Sequence, residues 1–74
     1  MYRLLIIDDE QKIRDGMQLL INWKRYGITQ IQTAASYEEA VEKAIDFKPH
    51  IALVDVRVGP RWGYHIIERL NEIG

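Results

Sequence analysis

The chain has 74 residues, 47% of them hydrophobic and 28% charged, enough for one small folding unit at most. It contains no cysteine, which excludes disulfides, thiolate metal sites and a cysteine nucleophile. Ten basic residues against eleven acidic ones give a net charge of −1, with no basic run longer than Lys24-Arg25, so this chain alone offers no nucleic-acid surface.

The elements follow in chain order. Leu4-Leu5-Ile6-Ile7 is apolar at consecutive positions, the pattern of a parallel strand covered on both faces. Asp8-Asp9-Glu10 follows at once, so the run is neither a signal peptide nor a membrane span. A cysteine-free chain of this kind fits the reducing cytoplasm. From Glu10 the period changes: Ile13, Met17, Leu20 and Ile21 share one helical face, and Gly27 is the expected exit of that helix. Ile28 to Ala35 is rich in β-branched residues but less apolar, which predicts a second strand nearer an edge. Ser36-Tyr37-Glu38-Glu39 is a capping box opening a helix with a buried stripe of Tyr37, Ala40, Val41, Ala44 and Ile45, stopped by Pro49. Ile51-Ala52-Leu53-Val54 is a second continuous apolar run, closed by Asp55 and Val56. A loop from Arg57 to Trp62 then leads through Gly63 to a third helical face of Ile66, Ile67, Leu70 and Ile73, with Gly74 in the place of a helix-ending glycine.

Three strand–helix units imply an α/β fold with a parallel sheet and helices on both faces. Three strands leave a strongly apolar one on an edge, which invites association. A unit of this size also buries only about 60% of its unfolded surface, so pairing of two chains is expected, through the third strand or the third-helix surface.

The chemistry lies at strand ends. Asp8 and Asp9 follow the first strand and Asp55 ends the third; if those strands are neighbours, the three carboxylates converge in the crevice where open α/β sheets bind ligands. A hard, all-oxygen set without Cys or His favours Mg²⁺, which relieves the repulsion of the acids and polarises a phosphoryl group under attack by an Asp oxygen. Read singly, each acid is an ordinary turn former, and Asp9 could simply cap the first helix. Other chemistries fit less well. A phosphohydrolase with an Asp nucleophile wants a second acid close behind it, and the position two after Asp55 is Arg57. No glycine-rich loop follows the first strand to cradle a nucleotide.

His50 and His65 read as structural or solvated, the former at the strand end opposite the acids. Trp23, Tyr26 and Tyr37 read as packing residues, and Glu38, Glu39, Glu42 and Lys43 as a solvated helix face.

Leu4-Leu5-Ile6-Ile7-Asp8-Asp9-Glu10 and Lys48-Pro49-His50-Ile51-Ala52-Leu53-Val54-Asp55-Val56-Arg57 resemble the receiver domain of two-component response regulators, and the resemblance runs over residues 1–74. It implies the first three units of a flavodoxin-like, CheY-like three-layer fold, strand order 2-1-3, and a signalling module rather than an enzyme. By the same resemblance Asp55 is the phosphoacceptor for a sensor histidine kinase. Asp8, Asp9 and Asp55 hold Mg²⁺, with the backbone carbonyl of Arg57 as a further ligand, and Gly63 is the glycine that opens the third helix. Leu20 to Gly27 is similar to regulators carrying an AraC-type DNA-binding domain, which implies a transcriptional role for such a regulator as a whole. The chain departs from the family in having Val58-Gly59-Pro60 where Met-Pro-Gly is typical, and Trp62 where an acid is common. The family fold has five units. Its fourth-strand Ser or Thr and fifth-strand Lys, which contact the phosphoryl group, have no counterpart in these residues, and Lys12 on the first helix does not replace that Lys. The alternative implied is a non-switching remnant that serves as a dimerisation module.

Overall fold

A computed structural model describes residues 1–74. Three parallel strands, β1 (Tyr2–Ile7), β2 (Ile28–Ala34) and β3 (Ile51–Val54), form one sheet in the order β2-β1-β3. Three α-helices flank it: α1 (Gln11–Leu20), α2 (Tyr37–Asp46) and α3 (Gly63–Ile73).

The central strand explains the continuous apolar run. Leu4, Leu5, Ile6 and Ile7 are all buried, and the pleat deals them alternately to two cores. Leu5 and Ile7 join Ala34, Ala40, Val58 and Ile66 beneath α2 and α3. Leu4 and Ile6 join Ile28, with Met17, Trp23, Ile31 and Leu53 against them on the α1 side. Ile28 reaches that side because one extra residue, Thr29, bulges out of β2 between the pairs Tyr2–Ile28 and Arg3–Gln30.

Within these residues α2 and α3 pack on the first face and α1 on the second, and the expected stripes are only partly buried. No residue of α1 is fully buried; Ile13 is 45% and Leu20 87% exposed, and Ile21 is also exposed. Ile45 of α2 and Ile67 of α3 are exposed too, each at the margin of its stripe. The apolar period shows which side of a helix turns inward, but burial also needs a neighbour on that side.

Two local expectations are corrected. The first helix ends at Leu20, where Ile21 turns extended (φ −110°, ψ 133°), and a 3₁₀ turn over Trp23–Tyr26 follows. Gly27, left-handed at φ 79°, ends that turn and not α1. Trp23 packs as expected and its indole N–H donates to the Met17 carbonyl at 2.8 Å, whereas Tyr26 is exposed. The segment from Arg57 to Trp62 is no open loop. It folds into a hairpin of β4 (Arg57–Val58) and β5 (Arg61–Trp62), turning at Gly59-Pro60. Gly59 takes φ 58° at the first turn position, as two-residue hairpins of the glycine-first kind require. The driving residue is Val58, buried in the core beneath α3. Arg61 stacks 4.2 Å over the Tyr37 ring, and Arg57 lies 5.0 Å over the Trp62 ring.

The Ser36 half of the capping box forms as read, Glu39 N–H donating to Ser36 Oγ at 3.2 Å, while the Glu39 carboxylate reaches back one residue further and accepts from the Ala35 amide at 2.7 Å. At the other end of α2, Arg3 Nε donates to the carbonyls of Phe47 and Lys48, both at 2.9 Å, bringing a cation to the negative end of the helix. Gly74 is left-handed and bonds back to the Leu70 carbonyl, as a helix-ending glycine does.

Candidate functional site

β1 and β3 are direct neighbours, Ile7 standing opposite Val54. The residues that follow them therefore emerge side by side. Carboxylate oxygens of Asp8, Asp9 and Asp55 lie within 4.8 Å of one another. The sheet topology thus brings together the three acids that the sequence placed at strand ends.

Each carboxylate is oriented by a backbone amide. Asp8 Oδ1 accepts from Glu10 N–H at 2.9 Å, Asp9 Oδ2 from Gly59 N–H at 3.0 Å, and Asp55 Oδ1 from Val56 N–H at 2.8 Å. Each therefore keeps its second oxygen outside these amide bonds. Asp8 is the buried member, its own N–H bonded to the Ala34 carbonyl. Asp9 does not cap α1: Glu10 holds that position and no side chain caps it. Asp9 instead ties the strand-end acids to the β4–β5 turn, fifty positions away in the sequence.

Arg57 stands opposite Trp62 in the hairpin. Gly63 N–H donates to the Val56 carbonyl at 2.6 Å, so by the alternation of an antiparallel ladder the Arg57–Trp62 pair is a non-hydrogen-bonded one. The Arg57 carbonyl is thereby left out of the hairpin ladder. Its guanidinium turns away to the Gly59 carbonyl and the Trp62 ring.

Gly63 has a reason beyond opening α3. A Cβ built on it would lie 2.1 Å from the Asp55 carbonyl oxygen and 3.3 Å from that of Val56. The helix can start this close under Asp55 only without a side chain. Arg14 is a residue that the sequence reading missed: its guanidinium donates to the Asp8 carbonyl at 2.7 Å and pins the first acidic position from α1. Its place one turn into an amphipathic helix gave no sign of this.

The histidines lie apart from the acids. His50 sits at the opposite strand end, its Nδ1 accepting from Arg3 N–H at 3.0 Å and its ring edge-on to Tyr2. His65 is exposed on the first turn of α3, beside Tyr64. Lys12 is exposed on α1.

Chemically, the donor set suits a hard cation. Three carboxylates, each with an oxygen outside the amide bonds, and no nitrogen or sulfur ligand match Mg²⁺ rather than a softer metal. No helix of the protein is long and apolar enough to cross a membrane.

Comparison with known proteins agrees with this geometry. The chain is 36% identical over 73 residues to the transcriptional regulatory protein YesN of Bacillus subtilis, covering 99% of this chain and 20% of that protein. It is 32% identical to the transcriptional regulatory protein HptR of Staphylococcus aureus, covering 28% of its length. Among solved structures, a two-component transcriptional regulator AraC from Clostridium phytofermentans superposes with a TM-score of 0.91 at 33% identity, over 99% of this chain and 59% of that one. The receiver domain of AraT from Geobacillus stearothermophilus gives 0.85 at 28% identity, over 96% and 55%. The chain thus spans less than a third of the curated relatives and somewhat over half of the solved receivers. Residues 4–74 match the response regulator receiver domain, and the chain belongs to that family.

Proposed function

We propose that these residues form the phosphoacceptor end of a receiver, in which Asp55 takes a phosphoryl group from the phosphohistidine of a sensor kinase. The observation that carries this reading is the convergence of Asp8, Asp9 and Asp55 at the carboxyl ends of adjacent strands. A carboxylate oxygen of Asp55 attacks phosphorus as the phosphorus–nitrogen bond breaks; the electron pair stays on the kinase imidazole, which takes up a proton, and an acyl phosphate remains on Asp55. Asp8, Asp9, Asp55 and the Arg57 carbonyl would hold Mg²⁺. When bound, that ion supplies charge neutralisation between the acids and the incoming phosphoryl oxygens. The chain's own part is positioning: amides of Glu10, Gly59 and Val56 fix one oxygen of each acid, and Gly63 leaves room for the Asp55 backbone. This is the work of a cytoplasmic signalling module, and a regulatory output belongs with whatever the receiver is joined to.

The test is intact-mass spectrometry of the chain with Mg²⁺ and a small-molecule phosphodonor, with Asp55→Asn alongside. One phosphoryl group on the parent and none on the variant is the expected result; labelling that persists in Asp55→Asn refutes the assignment.

A further inference from the structure

We propose that Arg14 is a positioning residue for the acidic site: by holding the Asp8 carbonyl it fixes the peptide plane between Asp8 and Asp9, and so sets how tightly the acids hold Mg²⁺. The inference rests on the cation-site and phosphoacceptor reading above and adds a residue to it.

The Asp8 carbonyl lies where the β1–β2 ladder runs out. Asp8 N–H still bonds the Ala34 carbonyl, so the parallel pattern would send the Asp8 carbonyl to Ser36 N–H. Ser36 has left the sheet to cap α2, and no backbone N–H reaches that carbonyl. Asp8 is buried, so its oxygen needs a donor from elsewhere. The Arg14 guanidinium supplies one at 2.7 Å, the short length of a bond from a charged donor.

Nothing else explains the charge of Arg14 at this position. It closes the first turn of α1, at the positive end of the helix dipole, where a cation is disfavoured. Glu10, four residues earlier, is the favoured partner for an ion pair along a helix, and Asp15 is the next residue in sequence. Arg14 pairs with neither; the one ion pair of the protein joins Arg69 and Glu72. The guanidinium goes to the carbonyl instead.

Holding that oxygen has a mechanical effect. A peptide unit is planar, so fixing the Asp8 oxygen also fixes the Asp9 nitrogen and Cα. Ala34 holds the Asp8 amide, Arg14 the peptide that follows, and Gly59 the Asp9 carboxylate. Without Arg14 the plane is free to turn, and the two acids lose their common geometry. Asp55 is held separately, by bonds to Ile7 and Val56 in which Arg14 takes no part.

Charge and position predict opposite signs. As a cation near the acids, Arg14 repels Mg²⁺, and removing the charge alone would tighten binding. As a positioning residue, its loss weakens binding.

Mg²⁺ titrations of the parent and Arg14→Met, followed by tryptophan fluorescence, test this; methionine keeps an unbranched, helix-favouring side chain. Affinity is expected to fall about ten-fold or more in the variant. Phosphoryl uptake from a small-molecule donor should be slowed at limiting Mg²⁺ and return to the parent rate at saturating Mg²⁺, because Asp55 is undisturbed. In the metal-free parent, guanidinium protons of Arg14 should exchange more slowly than those of the exposed Arg25, which reads the bond without any variant. Unchanged or tighter Mg²⁺ binding in Arg14→Met, uptake that stays slow at saturation, or Arg14 protons that exchange as fast as those of Arg25 overturns the positioning role and leaves the cation site standing. A parent that binds no Mg²⁺ and takes up no phosphoryl group removes the site reading, and this proposal with it.

Discussion

Replacing Gly63 by alanine probes how α3 and Asp55 share space. The added methyl would meet the Asp55 carbonyl oxygen at 2.1 Å and its carbon at 3.1 Å. Those are backbone atoms, so no rotamer change relieves the contact. Carbonyl and methyl must separate by about 0.9 Å merely to reach the 3.0 Å that real Cβ contacts hardly ever undercut. The movement falls on Asp55, on the 2.6 Å bond from Gly63 N–H to the Val56 carbonyl, or on the docking of α3 through Ile66. Overpacking of this kind costs about 1–3 kcal/mol, and a clash with main chain belongs at the upper end. Total stability for a domain of this size is roughly 4–11 kcal/mol, so the variant should still fold, with its melting temperature lowered by about 10–20 °C. Circular-dichroism melts measure the stability, and phosphoryl uptake at a temperature where both proteins are folded measures the site. A shift of nearly 1 Å at the nucleophile should slow uptake by about a hundred-fold. Gly63→Ala with an unchanged melting temperature and an unchanged uptake rate would falsify the close-approach argument.

Further substitutions test other parts of the structure. Ser36→Ala removes the oxygen that caps α2 and should cost about 1 kcal/mol, read as a drop of roughly 4–8 °C in melting temperature; no change would mean that the cap contributes nothing. Gly16→Ala, in the middle of α1 with its nearest neighbour 4.0 Å from the new methyl, should stabilise the protein by about 0.5–1 kcal/mol, and a destabilised variant would contradict the open surroundings described there. Ile66→Ala empties a fully buried position beneath α3 and should cost about 2–5 kcal/mol in chemical denaturation, whereas a loss below about 1 kcal/mol would show that α3 is not docked on this core.

The sheet was readable because its signals are local and redundant. Four consecutive apolar residues in β1 can be satisfied only by cover on both faces, and the capping box at Ser36 marks the start of α2 without reference to anything distant. The acids were readable because strand ends in a parallel sheet converge once strand neighbours are known. Features that depend on distant partners were not. The β4–β5 hairpin has only two residues per strand and holds its shape through burial of Val58 and the bond from Gly59 to Asp9, neither of which leaves a periodic trace. The exposure of Ile13 and Leu20 depends on which elements pack beside α1, which the spacing of apolar residues in α1 could not reveal. Arg14 looks in sequence like any polar residue on a helix, and its role becomes visible only when the Asp8 carbonyl is found beside it.

The most direct test of the central claim, that Asp8, Asp9 and Asp55 form one cation site from which Asp55 accepts a phosphoryl group, is a Mg²⁺ titration. Trp62, on the hairpin tied to Asp9 through Gly59, supplies a fluorescence signal close to the acids. The account predicts saturable, one-to-one binding in the parent chain, weakened about ten-fold or more in each of Asp8→Asn, Asp9→Asn and Asp55→Asn, as loss of one ligand among few requires. Equal Mg²⁺ affinity in the parent and all three variants would contradict it.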